Sequence, residues 1–388
     1  MPFSEIVGSL AESPTLKVTQ RVNELKAMGV KVLSFGAGEP DFDTPEYIKN
    51  AAIEALNNGK TRYTTASGIS ELKDAIIKKL ERDNGLRGYT RKNILISAGA
   101  KHALWNAVFT LLNPDDEAII FSPYWVSYTE QIKTAEAKSV IVPCHAEHNF
   151  EPQMEDVEAA VTAKTRMILL NTPNNPTGAV YTKKFIKELA KFCRERSIWV
   201  ISDEIYEKLI YDNKHHYSIA KYLPEKTILV NGVSKAYAMT GWRIGYVAGP
   251  EWIIKKMAML QGQITSCPNS IAQYASLAAI QGDGSDIETM RLAFSQRRDY
   301  MVERLNAMPG IHCRKPNGAF YVFPEVTEAF EKLGMRNADE FVEFLLEKSS
   351  VAGVSGTAFG AEGFLRLSYA TSMDIIEEGL DKIGALLK

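Results

Sequence analysis

Four short stretches carry residues that could do chemistry together. The first is Gly232-Val-Ser-Lys235-Ala-Tyr-Ala-Met-Thr-Gly-Trp-Arg243, in which Lys235 is followed by seven uncharged residues. A lysine in such surroundings is desolvated, which disfavours its ammonium form. A neutral amine is a nucleophile able to form a Schiff base. A surface lysine snorkelling to water fits that run poorly. The second stretch is Ser202-Asp203-Glu204-Ile205-Tyr206, at the end of an apolar run of strand length. A carboxylate at the carboxyl end of a buried parallel strand stands where α/β sheets bind ligands. Read alone, such an Asp is more often a helix N-cap. The third stretch, Asn171-Thr-Pro-Asn-Asn175-Pro-Thr-Gly178, is a turn stiffened by two prolines. Asn171 and Asn174 read as turn formers, whereas Asn175 can aim its amide into the same crevice. The fourth is Ser97-Ala-Gly99-Ala100-Lys101, where a strand gives way to a helix. Small residues there expose backbone N–H groups at the positive end of the helix, which suits a phosphate.

A phosphate cup, a carboxylate, an amine, and amide and hydroxyl groups along one sheet edge call for an anionic, carbonyl-bearing heteroaromatic cofactor. Pyridoxal 5'-phosphate meets that description, since it needs a lysine Schiff base and an acidic partner for its ring nitrogen. Other cofactor signatures are weak. Gly36-Ala-Gly38-Glu-Pro40 lacks the third glycine of a dinucleotide turn, which counts against a nicotinamide dehydrogenase, and no GxxxxGK[ST] occurs. No metal is expected. His145 and His148 lack nameable partners, and His215-His216 falls in the loop-like run DNKHHYS. Cys144, Cys193, Cys267 and Cys313 are far apart and form no CxxC, so they read as free thiols of a reducing cytosol.

These stretches need elements to position them. Helical spacing and caps mark helices at Glu46–Asn57, Ser70–Asn84, Lys101–Leu112 and Lys183–Arg196. Apolar runs mark strands at Asn93–Ser97, Glu117–Phe121, Arg166–Leu170, Ile198–Ser202, Thr227–Asn231 and Ile244–Ala248. Alternation of the two indicates an α/β sheet buried on both faces. After about residue 285 the pattern changes. A charged helix, Ser285–Ala307, precedes strands near Gly318–Phe323 and Leu365–Ser368 and helices at Ala338–Lys348 and the C-terminus, which reads as a smaller α+β domain. The 388 residues are 45% hydrophobic and 24% charged, with a net charge of −2. That balance argues against a nucleic-acid partner. No apolar run approaches membrane-spanning length, and the first residues lack the features of a secretory leader. A cytoplasmic protein without nucleic-acid or membrane partners is expected.

Ser234-Lys235-Ala-Tyr-Ala-Met-Thr-Gly-Trp-Arg243-Ile-Gly-Tyr246 resembles the cofactor-attachment segment of class I aminotransferases. Further family-like segments follow in the family's order: GAGEPDFDTP (36–45), TRYTTASGISELKDAI (61–76), SPYWVSY (122–128), NTPNNPTGAVY (171–181), SDEIYE (202–207) and FLRLSYATS (364–372). GEPDFDTP and PYWVSY are most similar to the bacterial aspartate aminotransferase branch. The resemblance implies the fold type I of pyridoxal-phosphate-dependent transferases. A large domain with a mostly parallel seven-stranded sheet flanked by helices is expected at 46–284. A small C-terminal domain is expected at 285–388, and an N-terminal arm completing part of it at 1–45.

By the same resemblance, Lys235 holds the cofactor and shuttles a proton, and Asp203 pairs with the ring nitrogen. Asn175 and Tyr206 bond the ring oxygen, and Trp125 stacks on the ring. Gly99, Ala100, Ser234 and Arg243 bind phosphate, joined by Tyr63 of a neighbouring subunit, so a homodimer with shared sites is implied. Arg366 clamps the substrate carboxylate and Gly38 approaches substrate through its backbone. Lys101, and more weakly Thr15, are candidates for a distal carboxylate. The implied reaction is ping-pong transfer between L-aspartate or L-glutamate and a 2-oxo acid such as 2-oxoglutarate. Transfer from aromatic amino acids, alanine or prephenate, or β-lyase chemistry, remains open on the same fold. Glu12 stands where prephenate-using members often carry Lys, which counts against that substrate.

Overall fold

The computed structural model describes residues 3–388. Seven strands form its main sheet: β1 (Ile94–Ser97), β2 (Glu117–Ser122), β3 (Lys138–Pro143), β4 (Thr165–Asn171), β5 (Trp199–Asp203), β6 (Thr227–Gly232) and β7 (Gly245–Ala248). Their spatial order is β1-β7-β6-β5-β4-β2-β3. The five strands β2 to β6 run parallel, and β7 runs antiparallel to both β6 and β1. Central strands such as Met167–Leu170 and Val200–Ile201 are buried on both faces, because helices cover both. β3 lies outside the strands expected from sequence. It is an edge strand with several exposed residues, so it lacks the continuous apolar run of its neighbours.

Register explains why the chemical residues meet. Asn171 at the end of β4 lies opposite Asp203 at the end of β5. Antiparallel β7 begins with Gly245, which sits opposite both Gly232, the last residue of β6, and Ser97, the last residue of β1. The lysine loop after β6 and the small-residue turn after β1 therefore open at the same sheet edge, on either side of Gly245. A Cβ at Gly245 would lie 2.3 Å from the Ala100 amide nitrogen, so only glycine lets the turn come this close.

The remaining strands form two small sheets. Leu33–Ser34 pairs in parallel with Val351–Ala352. Tyr321–Val322, Leu365–Ser368 and Val354–Ser355 form an antiparallel sheet with Leu365–Ser368 central. Helices Ser285–Asn306, Ala338–Ser349 and Met373–Leu386 pack with them around an apolar cluster that includes Phe294, Phe341 and Leu380. The Gly318–Phe323 strand expected from sequence shortens to Tyr321–Val322. Gly318 itself makes an isolated bridge to Ile210, and a Cβ there would lie 2.6 Å from Pro173. Helices Pro14–Ala27, Glu251–Ile264 and Ser270–Gln281 add to those read from spacing.

A buried polar brace fixes the turn that follows β5. Glu204 accepts hydrogen bonds from the Ser202 and Ser218 hydroxyls, at 2.8 and 2.7 Å, and faces His216 Nε2 at 2.8 Å. His216 lies in a loop, as its neighbours suggest, but its side chain is buried. Glu207 is paired with Lys79 and accepts from Asn84 Nδ2 at 2.7 Å. Glu204, Glu207 and His216 come close enough to share a cation. Their oxygens already have hydroxyl, amide, ammonium or imidazole partners, so the group reads as a brace. Side chains of Lys79 and Glu207 are only 4% and 6% exposed. Removing one partner of such a pair leaves a buried charge uncompensated. Lys79→Met is therefore expected to lower unfolding stability by about 3–5 kcal/mol, read by urea denaturation. A loss under about 1 kcal/mol would show that the pair is solvated in practice.

Candidate active site at the carboxyl edge of the sheet

The loops beyond β1, β4, β5 and β6 enclose a cavity of about 350 Å³, within the range of small-ligand sites. Lys235, three residues beyond β6, donates from Nζ to the Gly38 carbonyl. Nζ also lies 6.0 Å from the Tyr206 ring centroid and 5.9 Å from that of Phe320. Withdrawal from water pushes its pKa down to about 8. The charges of Arg366 and Arg243 act the same way, and Glu39 and Asp203 oppose them.

Asp203 ends β5. Its Oδ2 accepts from the Tyr128 hydroxyl at 2.8 Å and its Oδ1 from the Ile205 amide at 3.3 Å. Burial pushes its pKa up to about 6 despite those two bonds. Desolvation thus moves an acid up and an amine down within one cavity.

Arg366 lies on the central strand of the small antiparallel sheet and is 2% exposed. Its Nη1 donates to Asn175 Oδ1 and its Nη2 to the Gly36 carbonyl, each at 2.9 Å. The guanidinium lies 4.5 Å from the Tyr321 ring centroid and 4.9 Å from that of Phe359. Among the described residues its hydrogen bonds go to an amide and a carbonyl and none to a carboxylate, and its buried Nε has no acceptor. A buried cation left in this state is prepared for an anion from outside the chain. Asn175 is itself held by its amide, which donates to Asn171 Oδ1 at 2.9 Å, while Asn171 Nδ2 donates to the Asp203 carbonyl. Asn171 is thus a brace as well as a turn former.

At the far end, Gly99 caps helix Ala100–Leu111 with φ +86°. A Cβ there would lie 2.6 Å from Arg243 Nη2. The His102 and Ala103 amides donate to the Gly99 carbonyl, whereas the Ala100 and Lys101 amides have no intrahelical acceptor. Ala100 and Lys101 line the cavity together with Ser234 and Arg243, whose Nη1 donates to the Thr240 carbonyl at 2.9 Å. Trp125 meets Tyr128 edge-on with ring centroids 5.4 Å apart, and Lys101 Nζ lies 5.1 Å from the Trp125 ring. Burial and the Arg243 charge lower the Lys101 pKa. Thr15 lines the cavity from the N-terminal helix, and Gly38 lines it beneath Tyr321. A Cβ at Gly38 would stand 3.1 Å from the Tyr321 hydroxyl.

Of the candidates named from sequence, all but Gly99 and Tyr63 line the cavity directly. Gly99 supports its rim from behind Arg243. Tyr63 is 90% exposed in the single chain and stands apart from the cavity. Two residues escaped notice. Tyr128 lies within SPYWVSY, in the first turn of helix Ser127–Thr134, where an aromatic ring reads as core packing. Tyr321 sits in the aromatic run Phe320-Tyr321-Val322-Phe323, which reads as core and gives no sign of a hydroxyl turned to a site.

The family model described as aminotransferase class I and II matches residues 30–383. An aspartate aminotransferase of Bacillus subtilis is 46% identical over 99% of this chain and 98% of its own length. A probable aspartate/prephenate aminotransferase of Aquifex aeolicus is 47% identical over 98% of each chain. Among solved structures, the aspartate aminotransferase from Thermus thermophilus with maleate superposes with a TM-score of 0.95, at 42% identity over 99% of both chains.

The Asp203 shift has a testable sign. The folded protein holds this proton more tightly than the unfolded chain, because burial outweighs the Tyr128 and Ile205 hydrogen bonds and the Lys235 charge. The resulting stability is complete below about pH 3.8 and is lost as pH rises through about 6. Asp203→Asn should therefore stabilise the cofactor-free protein at pH 8 by roughly 1–3 kcal/mol in urea unfolding, and by less at pH 5. Destabilisation at pH 8 would contradict the burial penalty.

Proposed function

The chain belongs to the class I and II aminotransferases, and from that footing we propose that it moves the amino group of L-aspartate or L-glutamate to a 2-oxo acid such as 2-oxoglutarate, using pyridoxal 5'-phosphate bound at Lys235. The observation that carries this reading is the charge pattern of the cavity. One carboxylate, Asp203, faces four cationic side chains, Lys101, Lys235, Arg243 and Arg366. A ligand set with a cationic ring nitrogen, a phosphate, an α-carboxylate and a distal carboxylate neutralises that pattern. Two features of the chain fit the cofactor in particular. Asp203 is a buried carboxyl whose penalty an adjacent ring cation relieves, and the Gly99 turn is a cradle that a Cβ would fill against Arg243.

When bound, the cofactor supplies a carbonyl for the amine and an electron sink for the substrate Cα. The chain does the rest. Asp203 keeps the ring nitrogen protonated, and Tyr128 holds Asp203 in place. Gly99, Ala100, Ser234 and Arg243 take the phosphate, with Tyr63 reaching it from the second subunit of a homodimer. Asn175 and Tyr206 hydrogen-bond the ring oxygen, and Trp125 covers a ring face. Arg366 offers its unpartnered Nε to the substrate α-carboxylate and grips it as a planar fork. Lys235 Nζ, with its pKa brought down to about 8, is a competent base near neutral pH and moves the proton at Cα. Gly38 leaves room for substrate where a side chain would meet Tyr321.

Lys101 and Thr15 are assigned to the distal carboxylate. The dicarboxylates in the names and title of the relatives support that end of the reading. Glu12 pairs with exposed Lys17 at 3.3 Å and lines a neighbouring pocket, not the cavity itself. We take it to disfavour prephenate. A cytoplasmic location fits the thiols, and no helix among the described residues is long and apolar enough to cross a membrane.

The test is a half-reaction followed by visible absorption, with no 2-oxo acid added. L-Aspartate and L-glutamate should convert the yellow cofactor-loaded protein to its amine form, and L-alanine and L-tyrosine should do so poorly. Conversion by tyrosine or alanine with aspartate inert would overturn the substrate assignment, and steady release of pyruvate and ammonia would replace transfer by β-elimination. Lys101→Met should lower kcat/KM for aspartate about 10–100-fold while leaving alanine nearly unchanged, the span expected for one charge-assisted bond. Equal losses for both would move the distal site elsewhere.

A further inference from the structure

Tyr321 joins three parts of the site yet has no place in the roles assigned above. Its hydroxyl lies 2.9 Å from that of Tyr206, and both tyrosines are buried. Its ring lies under the Arg366 guanidinium at 4.5 Å. It is set opposite Ser368 on the neighbouring strand, two residues beyond Arg366. Its hydroxyl also stands over Gly38, 3.1 Å from where a Cβ on that residue would lie.

Proton counting gives the direction of the Tyr206–Tyr321 bond. A phenol has one proton to donate. If Tyr206 spends its proton on the cofactor's ring oxygen, the proton between the two tyrosines must come from Tyr321. Tyr321 would then be the outer link of a donor chain that runs Tyr321 to Tyr206 to the ring oxygen. Chains of this kind strengthen each bond by polarising the next.

We propose that Tyr321 is a positioning residue for transamination: by donating to Tyr206 it strengthens the Tyr206 bond to the ring oxygen and so sets the acid–base midpoint of the bound cofactor. The proposal rests on the cofactor reading above. A donor at the ring oxygen favours the more anionic form, so it holds the midpoint down. Losing the donor, or weakening it, raises the midpoint.

The experiment is a pH titration of visible absorption for four cofactor-loaded proteins: wild type, Tyr321→Phe, Tyr206→Phe and the double variant. Tyr206→Phe should raise the midpoint by about 1–2 pH units, the worth of one charge-assisted bond. Tyr321→Phe should raise it by about 0.1–0.6 units, a 10–30% share of that bond. In the Tyr206→Phe background the second change should have no effect, because the chain is already cut. Additive shifts, a downward shift, or no shift from Tyr321→Phe while Tyr206→Phe moves the midpoint would each overturn the proposal. A general loosening of structure would move the thermal midpoint of the cofactor-free protein but would not cancel in the double variant. If the wild type acquires no visible band with pyridoxal 5'-phosphate, the cofactor reading itself fails, and the proposal with it. Should Tyr321→Phe not fold, Tyr321→His keeps a ring and a donor and should leave the midpoint nearer to wild type than to Tyr206→Phe; a midpoint matching Tyr206→Phe would count against the proposal.

Discussion

Desolvation of one amine and one carboxyl in the same crevice governs this protein. Lys235 is brought down to about 8 and Asp203 up to about 6 by the same withdrawal from water. At neutral pH neither shift helps folding. Their counterparts are the cations at the cavity's other walls, above all Arg366, buried without an acidic partner. The site is thus pre-charged for a ligand that is anionic at several points and cationic at one. This pre-organisation is what makes interactions in a water-poor cavity strong.

Strand direction does much of the positioning. Parallel β4, β5 and β6 deliver Asn171, Asp203 and the Lys235 loop to one edge. A fully parallel β7 would carry its own loop there, whereas the antiparallel β7 brings its first residue, Gly245, between the ends of β6 and β1. The phosphate-type turn then sits beside the lysine loop with no linker. Behind the edge, Lys79, Glu207, Glu204 and His216 clamp the turn that carries Asp203 and Tyr206. The small antiparallel sheet brings Arg366 and Tyr321 from the opposite side. At the cavity it meets the loops of the main sheet through the Tyr206–Tyr321 and Arg366–Asn175 hydrogen bonds.

Much of this was legible in the sequence, for identifiable reasons. Helices Glu46–Asn57, Ser70–Asn84 and Lys183–Arg196 appear with the boundaries their caps and spacing imply. The core strands are visible because both faces are apolar, and β3 is not because it lies at an edge. Asp203 and Lys235 stand out because charge is rare where they sit. The order of the strands is invisible to periodicity, since it depends on which loops cross which face. Tyr128 and Tyr321 hide for a related reason: an aromatic ring signals burial, and only the tertiary structure shows where its hydroxyl points. Tyr63 is singled out by resemblance alone, because the role proposed for it depends on a second subunit and leaves no trace in the single chain.

The reactive amine proposed at Lys235 can be located chemically, by loading the protein with pyridoxal 5'-phosphate, reducing it with borohydride and mapping the labelled peptide by mass spectrometry. One label per chain is expected, on Lys235, and none in Lys235→Ala. A label on Lys101 or scattered over surface lysines, with Lys235 unmodified, would place the amine elsewhere.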